Sequence, residues 1–206
     1  MYEIDSLETT NSRLFGGAIF LLLGFLALET ISWAWAGLFV GGLIAWFIAF
    51  RKDSFKVSTF PRRLWLIPLG VIAYLVLGIL IGLISRLLGF EWASNPASGK
   101  LGSIIFMIPF MLMGEELLGI GIMEGAKSKG FSFLTSSLLS ALIFGLMHTI
   151  SYWDGSIVST IAHVLLLQGM ARLIFNYVYL KTGRSIWGSW VTHVLVDLIA
   201  LSFTSR

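Results

Sequence analysis

The chain has 206 residues, 57% of them hydrophobic and only 12% charged, against about 25% charged in a soluble domain. With a mean hydropathy of +0.89, no soluble core of this size could hide the apolar surface, so lipid has to be the solvent. The absence of cysteine excludes a disulfide framework, thiolate metal sites and a cysteine nucleophile. The formal charge of +3 lies in short loops, where it sets membrane orientation and does not mark a nucleic-acid partner.

In chain order the pattern predicts an all-α polytopic transmembrane bundle of about seven spans, each near the ~20 residues a crossing needs. Residues 1–13 are polar, with Glu3, Asp5 and Glu8 and no basic stretch before a cleavage site, so the first span is expected to be its own insertion signal. The apolar run 14–50 is too long for one crossing and breaks at Glu29-Thr30-Ile31-Ser32 into a two-helix hairpin. A basic loop at 51–63 holds Arg51, Lys52, Lys56, Arg62 and Arg63. Span three covers 64–88, and the connection 89–100 contains the helix-ending Asn95-Pro96 and Gly99. Spans four and five, 101–123 and 132–150, are joined by Gly125-Ala126-Lys127-Ser128-Lys129-Gly130. Span six runs over 156–180, a turn at Lys181-Thr182-Gly183-Arg184 follows, and span seven covers 186–203. This is one continuous membrane domain: a polar cytoplasmic N-terminus (1–13), three spans with their loops (14–100), and a second half (101–203) that carries the polar residues of interest.

Charge sets the orientation. With the N-terminus cytoplasmic, the loops 51–63, 124–131 and 181–185 all fall inside and, with Arg13, hold ten of the fourteen Lys and Arg residues. The outer connections hold Lys100 and Arg206, and Arg86 and Arg172 lie within spans.

Glu115 and Glu116 sit in span four, His148 in span five, and His193 and Asp197 in span seven. A charge near the centre of a membrane helix costs about 2.5–3.5 kcal/mol on insertion scales, so these residues are expected to meet around a cavity. Glu115 and Glu116 point about 100° apart on a helix; one would do chemistry and the other would bond a neighbour. Phe144 and His148 share a face, as do His193 and Asp197. A glutamate and two histidines in a dry cavity could activate a water and stabilise an oxyanion, or ligate a divalent metal. By helix rise, Glu115 and His193 lie about 10–13 Å from the inner surface, whereas His148 comes out near the outer end of its span. Either the 125–130 loop stands out into the cytoplasm, or span five ends early with a buried turn at Tyr152-Trp153-Asp154, or both.

Other polar residues have simpler readings. His163, Gln168 and Asn176 are expected to hydrogen-bond neighbouring helices, Glu29 and Asp154 to sit in solvated turns, and Glu124 and Arg86 to snorkel from span ends. Gly41-Gly42 and Gly78-x-x-x-Gly82 are expected to be packing faces.

The ordered set Glu115-Glu116, Phe144-x-x-x-His148 and His193-x-x-x-Asp197 resembles the three motifs of the CPBP family: CAAX prenyl endopeptidases and bacteriocin-processing or self-immunity membrane proteins, also called Abi proteins. The resemblance covers roughly Leu101 to Ala200 and extends to the Tyr177–Arg184 turn before Ser185-Ile186-Trp187. It implies an intramembrane endopeptidase acting on a membrane-associated peptide, with Glu115 as general base and Glu116 in support. His148 would position the water or bind a metal, and His193 would aid water activation or the oxyanion. Asp197 stands where the family has Asn or Asp. Whether a metal such as zinc is held by Glu115, His148 and His193, or the glutamate acts alone, stays open. One departure is clear: Ile120 occupies the place of the arginine that usually ends Glu-Glu-x-x-x-Arg. Arg172 of span six is the expected replacement, since a buried cation needs an acidic partner.

A family member that has lost catalysis and serves in self-immunity or as a regulatory partner is the alternative, which Ile120 favours. A transporter would also use intramembrane acids, but the chain is short and lacks paired repeats. Small size and the lack of an organelle or retention signal lead one to expect a bacterial plasma membrane.

Overall fold

The computed structural model describes residues 6–204, and all regular structure among them is helical. α1 (Asn11–Thr30) and α2 (Gly37–Phe50) form the expected hairpin, followed by a 3-10 stretch, Arg51–Val57. Next come α3 (Leu66–Leu87), a single turn α4 (Leu101–Ile104), α5 (Ile108–Ser128) and α6 (Phe133–Met147). α7 (Ile157–Val164) continues through a π-helical turn, Leu165–Gly169, into α8 (Met170–Lys181), and α9 spans Ile186–Thr204.

Four of the described helical runs are long and apolar enough to cross a membrane: Asn11–Thr30, Leu66–Leu87, Ile157–Lys181 and Ile186–Phe203. α2 with 14 residues and α6 with 15 are shorter than a full crossing, and α5 carries Glu115, Glu116 and Glu124 along its 21 residues. The protein is a membrane protein.

Two boundaries differ from the sequence pattern for local reasons. The fourth run starts at Ile108 because Pro109 lacks an N–H and fits only the first turn of a helix. It then continues through Ser128, and only at Gly130, with φ +88°, does the chain turn. α6 follows after Ser132, whose hydroxyl accepts from the Thr135 N–H and caps it.

The α1–α2 hairpin depends on glycine. A Cβ on Gly24 would lie 2.6 Å from the Gly37 carbonyl oxygen, and one on Gly41 would lie 2.6 Å from that of Phe20, so the two backbones touch directly. Gly42 likewise seats against Leu117 of α5. Gly78 and Gly82, expected to pack as well, meet nothing within 4 Å; their neighbours Ile79, Leu80, Leu83 and Ile84 are exposed. α3 packs on α8 and α9 through Val71, Tyr74 and Leu75 instead.

Polar contacts tie the basic loops into one end of the bundle. The Arg62 N–H donates to the Thr182 carbonyl, the Ser185 hydroxyl to Thr59, and the Trp187 indole to Ser58. Asp53 accepts from the Glu8 N–H at 3.0 Å and pairs with Lys56. Beneath them Leu7, Trp46, Phe50, Val57, Ile120, Met123, Tyr179 and Ile186 form an apolar cluster. Ile120 therefore faces hydrocarbon side chains.

Glu124, expected to snorkel, is instead fully buried. It accepts from the Tyr179 hydroxyl at 2.7 Å and from Arg184 Nε at 3.1 Å. The extension of α5 beyond it explains the difference: position 124 is no helix end.

Candidate active site

α5 presents its two glutamates to different surroundings, as their angular separation requires. Glu116 points into the bundle and is fully buried. Glu115 lines a cavity of about 260 Å³. The helix is fixed in place by side chains that bond its carbonyl oxygens: the Trp46 indole to Leu117, the Ser140 hydroxyl to Gly119, and the Trp190 indole to Pro109.

Around Glu116 the bonding is nearly complete. Arg172 of α8, also fully buried, grips it with two parallel bonds, Nη1 to Oε1 at 2.9 Å and Nη2 to Oε2 at 3.0 Å. The Ser189 hydroxyl donates to Oε2 and accepts from Arg172 Nη2. Arg172 Nε donates to Asn176 Oδ1, and the Asn176 amide donates in turn to Ser137 of α6. The guanidinium lies between the Phe144 and Phe175 rings, 5.6 and 5.5 Å from their centroids. Room for it is made at Gly119, where a Cβ would stand 2.7 Å from Arg172 Cδ. The cation missing from position 120 thus reaches the glutamate pair from another helix.

His193 links this network to the cavity. Its Nδ1 bonds Glu116 Oε1 at 2.9 Å, so Nδ1 carries the proton that the carboxylate accepts. Nε2 then faces Glu115 Oε2 at 3.8 Å and Asp197 Oδ1 at 3.9 Å. Both separations exceed a hydrogen bond, so Asp197 does not bond His193 directly. His148 is arranged the same way: Nδ1 donates to the Phe144 carbonyl at 2.8 Å, and Nε2 stands 4.0 Å from Glu115 Oε2. Phe144 packs its ring on His148 with centroids 4.8 Å apart. The structure thus brings together Glu115, Glu116, His148, His193, Asp197, Phe144 and Arg172.

The depth of His148 follows from the lengths of α5 and α6. α6 ends at Met147, with His148 as its C-cap and Tyr152 buried in the turn beyond. α5 extends to Ser128, so Glu115 and His148 both lie about 20 Å along antiparallel helices from the connection between them.

Several contributors were not singled out as site residues. Ser189 lies one turn before His193 on the same face of α9, a spacing visible in the sequence. Gln168, read as an interhelical bonding residue, lines the cavity from the π-helical turn. Tyr74, Tyr152 and the Asn95–Ala97 segment also line it, as does Glu29, read as a turn residue, which accepts from Ser151 across the rim. Nothing local in the sequence announces that these distant segments meet. Asn176 bonds a neighbouring helix as expected; His163 does not. Its ring stacks on Trp92, 4.6 Å away and 4° from parallel, and its Nδ1 has no hydrogen-bond partner among the described residues, because the 89–100 connection folds back over α7.

Glu115, His148 and His193 have the donor chemistry of zinc ligands but not the spacing. Donors at about 2.0–2.1 Å from zinc in a tetrahedron lie about 3.3 Å apart, against 3.8 and 4.0 Å from Glu115 to the two imidazoles. No group of three or more His, Asp or Glu among the described residues is placed to hold a metal ion.

No curated protein and no solved structure matches the chain. A family model does, over residues 97–199, described as type II CAAX prenyl endopeptidase Rce1-like. That range opens beside the cavity-lining Asn95–Ala97 segment and closes just past Asp197, enclosing both glutamates, Arg172 and both histidines. Motifs, cavity and matched range coincide: the chain belongs to the Rce1-like type II CAAX prenyl endopeptidases, a protease family within the CPBP group.

Proposed function

We propose that the protein is an intramembrane endopeptidase that cuts a membrane-associated peptide with a water activated by Glu115. The observation that carries this reading is the convergence on Glu115 Oε2 of two imidazole Nε2 atoms, each with its Nδ1 already committed. Gaps of 3.8 and 4.0 Å suit a bridging water at about 2.8 Å from each group. Glu115 takes one proton from this water, while His148 Nε2 accepts the hydrogen bond of the other. The water oxygen bonds the scissile carbonyl carbon, and the carbonyl π electrons move to its oxygen. His193, in its protonated form, donates Nε2–H to that oxyanion. Collapse re-forms the carbonyl, breaks the C–N bond and passes the proton from Glu115 to the departing amine.

Glu116 and Arg172 stay out of the chemistry and hold His193. The alternative of a family member without catalysis rested on Ile120, and Arg172 supplies the guanidinium that position lacks. We place the end carrying the basic loops in the cytoplasm of a bacterial plasma membrane, with the chain passing the bilayer several times and about seven spans in all, α2 and α6 being the short ones.

The test is processing of a membrane-anchored peptide by wild type, Glu115→Gln and His193→Ala at matched abundance. Each substitution is expected to lower turnover by about 10²–10⁴-fold; unchanged cleavage in Glu115→Gln would sink the reading. Activity is expected to survive a chelator. Loss restored by zinc would instead assign Glu115, His148 and His193 as metal ligands.

A further inference from the structure

His163 and Tyr152 take no part in the mechanism above, yet a continuous series of rings runs through them to His148. Phe90 stacks on Trp92 with centroids 6.1 Å apart, and Trp92 lies flat on His163 at 4.6 Å and 4°. His163 meets Tyr152 edge to face at 5.0 Å and 82°, and Tyr152 reaches His148 at 6.1 Å. Beyond it lies Phe144, 4.8 Å from His148. His163 and Tyr152 are both buried. Among the described residues neither Trp92 Nε1 nor His163 Nδ1 has a hydrogen-bond partner, so this pair is joined through its ring faces. A buried polar atom left unpaired calls for a reason, and packing alone would be served by an apolar side chain.

The reason lies at His148. It caps α6, whose last helical residue is Met147, so no further helical turn holds it. The Nδ1 bond to the Phe144 carbonyl fixes one atom of the imidazole but not its plane. Tyr152 supplies a second ring contact, and its N–H donates to the His148 carbonyl at 3.0 Å. The turn that carries Tyr152 is itself pinned to α7: the Thr160 hydroxyl donates to Asp154 Oδ1 at 2.8 Å, one helical turn before His163. Trp92 then brings in the 89–100 connection, whose Asn95–Ala97 segment walls the cavity. His148 Nε2 stands 4.0 Å from Glu115 Oε2, a gap one water bridges. A misplacement of about 1 Å in such a site can cost on the order of 10²-fold in rate. We propose that His163 and Tyr152 are positioning residues: the stack Trp92–His163–Tyr152 sets the His148 ring toward Glu115 and ties it to the cavity wall. This rests on the protease reading above and extends it to His163, which lies outside the cavity lining.

The chain has three histidines, so ¹³C-histidine labelling of the whole protein in detergent micelles gives three ring Cε1–H signals, assigned with His163→Phe and His193→Ala. The His148 signal reports its place against the Phe144 and Tyr152 rings and requires no turnover. His163→Leu keeps bulk without a ring. It is expected to shift the His148 signal and to lower kcat on a membrane-anchored peptide by about tenfold or more, with KM within about twofold of wild type. His163→Phe restores the stack and is expected to return both readouts. In a Tyr152→Leu background, His163→Leu is expected to add nothing to either. Either readout left at its wild-type value in His163→Leu overturns the inference, while Glu115-dependent cleavage keeps the protease reading standing. A loss that His163→Phe does not restore, or that adds to the loss in Tyr152→Leu, overturns it too. A wild type that cleaves nothing sinks the protease reading, and the His148 signal then decides by itself whether the stack holds the imidazole. If His163→Leu does not fold, Trp92→Leu at the half-buried end of the stack takes its place, with the same signal shift and kcat loss expected.

Discussion

Glu116 and Arg172 hold each other through two parallel bonds in a place without solvent, and that makes them the most consequential pair in the molecule. Truncating one partner of such a pair leaves a buried charge unanswered, typically at about 3–5 kcal/mol. Arg172→Ala is therefore expected to lower thermal stability by that order and to abolish activity. Arg172→Lys, a single point charge that cannot fork around Glu116 or reach Asn176 as well, is expected to fold better yet remain impaired. A thermal melt in detergent beside a turnover assay checks both. Wild-type stability in Arg172→Ala would show that the network does not hold α5, α8 and α9 together. The motif pairs at four-residue spacing were legible in the sequence because one helical turn fixes them on a shared face. The partner of Glu116 was suggested only by charge balance.

Among the elements, the segment ahead of α1 and the 3-10 stretch after α2 depend on each other. The Glu8 N–H bonds Asp53 and Leu7 is fully buried beneath. The Glu8 N–H, with Lys56, holds the Asp53 carboxyl below its ordinary 3.8. Because the folded value is the lower one, ionised Asp53 stabilises the fold at all pH above the unfolded value, and that stability fades as pH falls through the folded value. Asp53→Asn is thus expected to melt below wild type at pH 7, with the two melting temperatures converging below about pH 3.8. A constant gap across that range would show that the carboxylate's charge is irrelevant to docking. The neighbouring helices make a different point. α5 begins and ends where Pro109 and Gly130 dictate, so its limits are local; the early end of α6 at Met147 is set by the turn that buries Tyr152.

At the scale of the whole molecule, contacts join the basic loops at one end of the bundle, while Glu29 and Ser151 meet away from them on the cavity rim. The absence of cysteine makes this arrangement easy to test with single cysteines in intact cells. Ser58→Cys and Lys129→Cys are expected to resist a membrane-impermeant thiol reagent, and Asn95→Cys and Trp153→Cys to react with it. All four reacting alike would overturn the orientation proposed here.

Composition alone placed the chain in lipid, because 57% hydrophobic residues leave no other solvent for the surface. Helical spacing alone put His148 on Phe144 and His193 near Asp197, because these relations are local. What required the folded chain was everything that joins helices: Arg172 entering over Gly119 to reach Glu116, Ser189 and His193 closing that network, and Glu29 and Asn95–Ala97 arriving at the cavity. Such contacts depend on how helices cross and which faces approach. The two glutamates, adjacent in sequence, acquire opposite surroundings only there: Glu116 among three polar partners, Arg172, Ser189 and His193, inside the bundle, Glu115 facing the cavity.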